Sequence, residues 1–114
     1  MTAVALAPPA VLPARDVGAL PWVRPDGAPG TRVRTLWESP RSRAVLLLLE
    51  PGAGFPLHVH PEAEHHAYVL AGRCAVGDRL LGAGSYAHAD PGEPHDVRGE
   101  HPFGATLLYV VERS

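Results

Sequence analysis

The sequence has one cysteine and no long apolar or basic run, and each of these shortages excludes a class of protein. With Cys74 alone, the chain has neither a disulfide framework nor a thiol-rich zinc site. Ten basic against twelve acidic residues give a net charge of -2 without a basic block, so nucleic acid is not an expected partner. Apolar runs such as residues 45–49 are far shorter than the ~20 residues that span a bilayer, so no membrane segment is predicted.

The N-terminal segment is rich in Pro and Ala and is expected to be a flexible arm over residues 1–16. It lacks a basic leader, and Pro8, Pro9 and Pro13 interrupt its apolar residues, so it does not resemble a signal peptide. Residues 17–114 are of a length that suits a single domain. A cytoplasmic protein is therefore predicted.

Abundant turn residues favour short strands over long helices. The chain has 13 Pro and 12 Gly in 114 residues, and many of them separate apolar runs. Such short strands at regular intervals predict an all-β sandwich or barrel. The predicted strands are residues 31–38, 43–50, 57–60, 65–71, 73–76, 84–89 and 105–112.

Two of these strands, residues 43–50 and 105–112, are apolar on both faces. One face of each can line the barrel, while the other can meet a second sheet or another chain. The sequence therefore predicts a homodimer.

Histidines are concentrated in one segment, PGAGFPLHVHPEAEHHAYVLAGR. His58 and His60 are two residues apart on a predicted strand, so both side chains lie on one face and can bind one metal ion. If the next strand is unbroken, His65 shares its face with alanines, which leaves room for a substrate. His65 is therefore the preferred third ligand, and Glu64 is the alternative because a bulge would exchange the two faces.

A second segment, GAGSYAHADPGEPHDVRG, supplies a further imidazole. Gly92 permits a tight turn and Pro94 stiffens the chain just before His95. His95 is thus the predicted fourth ligand.

The first segment resembles the first signature motif of the cupin superfamily. That motif is a Gly, five residues, His-x-His, three or four residues, a Glu, six residues and a Gly. Gly52, His58, His60 and Gly72 match it, and His65 occupies the position where the family usually has Glu. Some cupins have histidine there.

The second segment resembles the second cupin motif. Gly84, Gly92 and His95 match, whereas Asp90 and Gly99 replace the usual Pro and Asn. Both replaced positions shape turns and are not metal ligands. The resemblance spans residues 31–112 and implies a cupin-type double-stranded β-helix, a jelly-roll β-barrel, with one divalent transition metal.

The resemblance suggests a metal-dependent enzyme acting on a small oxygenated substrate. A histidine set suits Zn, Fe, Ni or Cu, while a carboxylate ligand favours Mn or Fe. Iron would imply a dioxygenase, and zinc or manganese an isomerase, cyclase or lyase. The alternative is a non-catalytic module that senses a small molecule or a metal.

Two further roles are predicted for side chains around the metal. Histidine ligands usually donate their second ring nitrogen to an acceptor, and Glu64 or Asp96 is expected to accept it. A catalytic proton-transfer group is also required. The candidates for it are Glu64, His66, Tyr86 and His88.

Overall fold

The computed structural model describes residues 11–58 and 62–113, with the backbone alone for residues 56–58. Within these ranges one short helix precedes eight strands, which confirms the all-β class. The elements are α1 (Ala14–Ala19), β1 (Thr31–Glu38), β2 (Ser42–Leu49), β3 (Gly54–His58), β4 (Ala63–Val76), β5 (Arg79–Gly82), β6 (Tyr86–Ala89), β7 (His95–Gly99) and β8 (Ala105–Arg113).

The strands form a curled antiparallel sheet of the jelly-roll type. Its order is β1-β2-β8-β4-β7-β3, and β5 and β6 also pair with β4. The N-terminal half of β4 pairs with β6 and β8, whereas its C-terminal half pairs with β5 and β7. Strand β4 therefore joins the two halves of the barrel.

The core lies on the inner face of the central strands. Leu47 of β2 pairs with Leu107 of β8, which in turn pairs with Val69 of β4. All three side chains are at most 3% exposed. Burying an aliphatic side chain of this size stabilises the fold by roughly 1.5–3 kcal/mol.

Strand β4 differs from the sequence prediction, which divided it at Ala71-Gly72. The chain instead continues as one strand of 14 residues, with a register shift between Val69 and Ala71 and a φ of 74° at Gly72. The bulge absorbs the bend, so pairing resumes beyond it. His65, Ala67 and Val69 are buried on one face, as strand alternation predicted, but Ala71 is exposed after the bulge.

Two strands, β5 and β7, were not predicted from the sequence. Both are short, at four and five residues, and neither shows a clear alternation of apolar and polar residues. Both strands pair with β4, and β7 also pairs with β3. Hydrogen bonds to these neighbours stabilise the two strands even though their own sequences do not favour a strand strongly.

The N-terminal region contains more structure than the predicted arm. Helix α1 begins at Ala14, inside the segment expected to be flexible, while residues 1–10 lie outside the described range. Val23 then forms an antiparallel bridge with Val33 at the edge of β1, through two hydrogen bonds of 2.8 Å. The described part of the chain contains no helix long and apolar enough to cross a membrane.

Candidate functional site

Two histidines from different strands lie side by side inside the barrel. His65 comes from β4 and His95 from the start of β7, and their ring centroids are 4.6 Å apart. Strand alternation turns His65 inward, where it is only 5% exposed. The backbone register pairs His95 with His58 of β3.

Each of these imidazoles is held through its Nδ1 atom. His95 Nδ1 donates to the carbonyl oxygen of Glu93 at 3.0 Å, and His65 Nδ1 lies 2.5 Å from the hydroxyl oxygen of Tyr109. Such contacts fix the orientation and tautomer of a metal-binding histidine. With Nδ1 engaged in both rings, Nε2 is the atom that would bind a metal.

Tyr109 contacts His65 from β8, and burial raises the pKa of its phenol to about 12. The hydroxyl is therefore protonated at neutral pH. A protonated phenol oxygen still has lone pairs, so it can accept the Nδ1 hydrogen of His65.

The acceptors predicted from the sequence have other partners. Asp96 accepts a hydrogen bond of 2.7 Å from the backbone N–H of Gly77. Glu64 lies on the other face of β4, where it contacts His66 and His88. The role predicted for Glu64 or Asp96, to hold the second ring nitrogen of a histidine, belongs instead to two other groups. Tyr109 of β8 is the partner of His65, and the Glu93 carbonyl, in the turn before β7, is the partner of His95.

A cavity of about 200 Å³ adjoins the histidine pair. Its wall includes Ala67, Ala87 and Ala89, whose small side chains leave space beside His65 and His95. The volume is below the roughly 300–1,000 Å³ of typical drug-sized ligand sites. The cavity therefore suits a small molecule.

A second group of metal-binding side chains lies on the outer face of the sheet. Glu64 and His66 project from β4, and His88 projects from β6. One potential ligand atom from each lies within 4.8 Å of the others. This outer cluster could hold a metal ion in its own right.

The predicted site residues are thus divided between two faces. His65 and His95 meet at the cavity, whereas Glu64, His66, Tyr86 and His88 gather on the outer face. His88 also borders the cavity. The side chain of His58 and all of His60 lie outside the described residues, so the complete ligand set stays a prediction.

The sequence analysis assigned no role to Tyr109 beside the histidine pair. The register that pairs Ala67 with Tyr109 brings β8 beside the histidine of β4. A tyrosine in an apolar strand carries no local signal of such a contact, and only the strand pairing reveals it.

Comparison with protein families gives one match that spans nearly the whole chain. The family model of the ChrR cupin-like domain matches residues 13–113. Among curated proteins, none matches the sequence significantly.

Solved structures show the same fold. Protein TT1209 from Thermus thermophilus is 33% identical, with a TM-score of 0.66 over 73% of this chain and 83% of that one. The polyketide cyclase RemF from Streptomyces resistomycificus is 26% identical, with a TM-score of 0.69 over 89% and 78% of the two chains. An RmlC-like cupin from Shewanella frigidimarina is 21% identical, with a TM-score of 0.73 over 85% and 86%.

Proposed function

We propose that this chain, which belongs to the ChrR cupin-like domain family, uses a divalent transition metal in its barrel to act on a small oxygenated substrate. The observation that carries the proposal is the pairing of His65 and His95 at the wall of a small cavity. An ion held there would face the space in which a small molecule fits.

The described residues fit a metal. Two imidazoles from separate strands converge, and the Nδ1 atom of each has a protein partner, which is the usual arrangement for histidine ligands. The proposed ligands are His65 and His95 together with His58 and His60. This set suits Zn, Fe or Ni. Glu64, the predicted alternative to His65, would have favoured Mn or Fe, but its side chain lies with His66 and His88 on the other face of β4.

The cavity favours a small, partly apolar substrate with an oxygen donor, such as a diketone or a phenol. Alanine and valine side chains form much of its wall, while Glu93, Asp96 and Tyr109 contribute polar groups. The 26% identity to a polyketide cyclase supports an oxygenated compound. A bound metal would act as a Lewis acid that polarises a carbonyl oxygen.

The chain's own residues would orient the ligands and limit access of water. Tyr109 holds His65 in one orientation, and the Glu93 carbonyl does the same for His95. The alanines of β4 and β6 provide a close apolar wall for the substrate. Iron in this site would support dioxygenase chemistry, and zinc or manganese would support isomerase, cyclase or lyase chemistry.

A non-catalytic sensor is the second candidate, and the placement of the proton-transfer candidates favours it. Three of the four candidates, Glu64, His66 and Tyr86, are not among the described residues that line the cavity, whereas the fourth, His88, borders it. Asp96 and Glu93, which do line it, each accept a backbone N–H. A site with few groups for proton transfer suits ligand binding as well as Lewis-acid chemistry.

Metal analysis of untagged protein, purified without added metal, tests the proposed site. We expect near-stoichiometric metal in the wild type and much less in His65→Ala and His95→Ala. His101→Ala is a matched control, because His101 is an exposed histidine in a turn outside both histidine groups. Unchanged metal content in both site variants, with the fold verified by circular dichroism, would contradict the assignment.

A second experiment separates the enzyme from the sensor. Small diketones, phenols and hydroxy acids are screened for binding by calorimetry and for turnover by mass spectrometry, with the metal-loaded wild type. If the wild type converts a ligand and the His65→Ala protein does not, the enzyme is supported. Tight binding without consumption supports the sensor.

A further inference from the structure

We propose that the outer cluster of Glu64, His66 and His88 forms a second binding site for a divalent transition metal, separate from the barrel cavity. This second site does not depend on the proposed function. None of its three side chains is among the proposed barrel ligands, which are His58, His60, His65 and His95.

Strand register assembles the outer cluster. His66 of β4 pairs directly with His88 of β6, and Glu64 lies two residues before His66 on the same face. Directly opposed residues of antiparallel strands have Cβ atoms about 4.5–5.5 Å apart. The two rings accordingly have centroids 4.9 Å apart.

The ligand atoms already converge. Glu64 Oε1 lies 2.7 Å from His88 Nε2 and 3.2 Å from His66 Nε2. Ligands about 2.0–2.1 Å from a tetrahedral zinc ion are about 3.3 Å from one another, so only a small adjustment would admit the ion. Two histidines and one glutamate are also a donor set that zinc enzymes use.

Neighbouring groups complete the features of a metal site. Tyr86 Oη lies 2.6 Å from Nδ1 of His66, so this ring has an orienting partner and presents Nε2 to the cluster. Glu112 lies 3.8 Å from His66 Nε2, and Asp90 lies 3.7 Å from His88 Nε2. These carboxylates add negative charge that attracts a cation and can supply a further oxygen ligand.

The outer cluster and the cavity lie on opposite faces of β4. His65 and His66 are consecutive, so strand alternation sends one ring into the barrel and the other outside. The side chains of the outer cluster are about one-third exposed, which leaves a path for an ion and for water ligands.

Zinc titration of untagged, metal-free protein tests the site. Equilibrium dialysis with Zn²⁺ is combined with elemental analysis for the wild type, His66→Ala, His88→Ala and Glu64→Gln. We expect each variant to bind one zinc ion fewer per chain than the wild type, or to bind it at least about tenfold more weakly. His101→Ala should match the wild type.

The doubly substituted His65→Ala/His95→Ala protein separates the two sites. It should keep the zinc ion that His66→Ala loses, and it should lose the ion of the barrel. If it binds no zinc while His66→Ala binds as the wild type does, the outer site is refuted and the barrel site stands. If the wild type and all outer-cluster variants bind zinc equally, the second site is likewise refuted.

A spectroscopic measurement guards against misfolded variants. Co²⁺ bound by nitrogen and oxygen ligands gives visible absorption bands that depend on ligand number and geometry. We expect Tyr86→Phe, which keeps all three ligands, to bind Co²⁺ several-fold more weakly with the same bands. Absence of Co²⁺ bands from His65→Ala/His95→Ala would overturn the proposal.

Discussion

At the scale of single residues, neighbouring histidines have different environments. His65 is buried beside His95 and Tyr109, whereas His66 lies half-buried beside Glu64, His88 and Tyr86. A shift of register by one residue would exchange these environments. The pairing of β4 with its neighbours therefore decides which imidazole meets the cavity.

Replacing Tyr109 by Phe removes the hydroxyl that holds His65. The ring would then lose its Nδ1 partner, and metal affinity in the barrel should fall about 10–100-fold while the fold is retained. Competition with a fluorescent chelator measures this change. Tyr68→Phe is the control, since Tyr68 is an exposed tyrosine on β4, and an equal loss of affinity there would contradict the assigned role.

Cys74 should be unreactive in the folded protein. Its side chain is fully buried, and burial, with a smaller contribution from Glu100, raises the pKa of its thiol. Alkylation requires the accessible thiolate, so iodoacetamide should modify native protein far more slowly than protein unfolded in guanidinium chloride. Mass spectrometry over time measures both rates, and similar rates would show that β4 opens readily.

At the scale of elements, β4 depends on a glycine at its bend. Gly72 has a φ of 74°, and an added Cβ would lie 2.1 Å from the carbonyl oxygen of Gly104. Only glycine satisfies both the backbone conformation and this close approach to the chain before β8. Because of this bend, the N-terminal part of β4 carries His65 in one half of the barrel. Its C-terminal part pairs in the other half with β7, the strand that carries His95.

Gly72→Ala should therefore lower the free energy of unfolding by at least about 2 kcal/mol, through left-handed strain and the close contact. Urea denaturation followed by circular dichroism provides the measurement. Gly82→Ala is the matched control, because a Cβ there meets nothing within 4 Å, and its effect should stay within about 0.5 kcal/mol. Equal stabilities of the two variants would refute this account of the bend.

At the scale of the whole molecule, bound metal should stabilise the barrel. An ion present at 100 times its dissociation constant adds about 2.7 kcal/mol, which for a domain of this size raises Tm by roughly 10 °C. Thermal unfolding with and without a chelator measures the shift. The triple variant His65→Ala/His95→Ala/His66→Ala lacks ligands of both proposed sites and should show no shift in Tm. A shift equal to that of the wild type would mean that the metal binds outside both sites.

The predicted homodimer also belongs to this scale. Tyr68, Leu70 and Tyr86 are each about half exposed on β4 and β6, and they offer apolar surface for a second copy. Light scattering should give the mass of a dimer, and Leu70→Arg should shift the protein toward the monomer. Leu80→Arg, on the exposed strand β5, should not do so. A monomeric wild type would contradict the prediction.

The sequence by itself determined the strands with strong local patterns and the residue types suited to a metal. Strand β1, in which polar and apolar residues are mixed, matches its predicted bounds. Strands β2 and β8 differ from theirs by one residue, because their apolar runs favour a strand locally. The resemblance of the segments that contain His65 and His95 to the two cupin motifs likewise implied the cupin fold before any pairing was known. Alternation along β4 also predicted that His65 and Ala67 share a buried face.

Only the tertiary structure decided which of these side chains meet. The short strands β5 and β7 form because β4 offers them partners, and the bulge after Val69 keeps β4 continuous where the glycine suggested a break. The contact of Tyr109 with His65 and the outer cluster of Glu64, His66 and His88 both depend on strand register. Alternation within one strand fixes which residues share a face, but the partner strand and its register depend on how strands distant along the chain pack together.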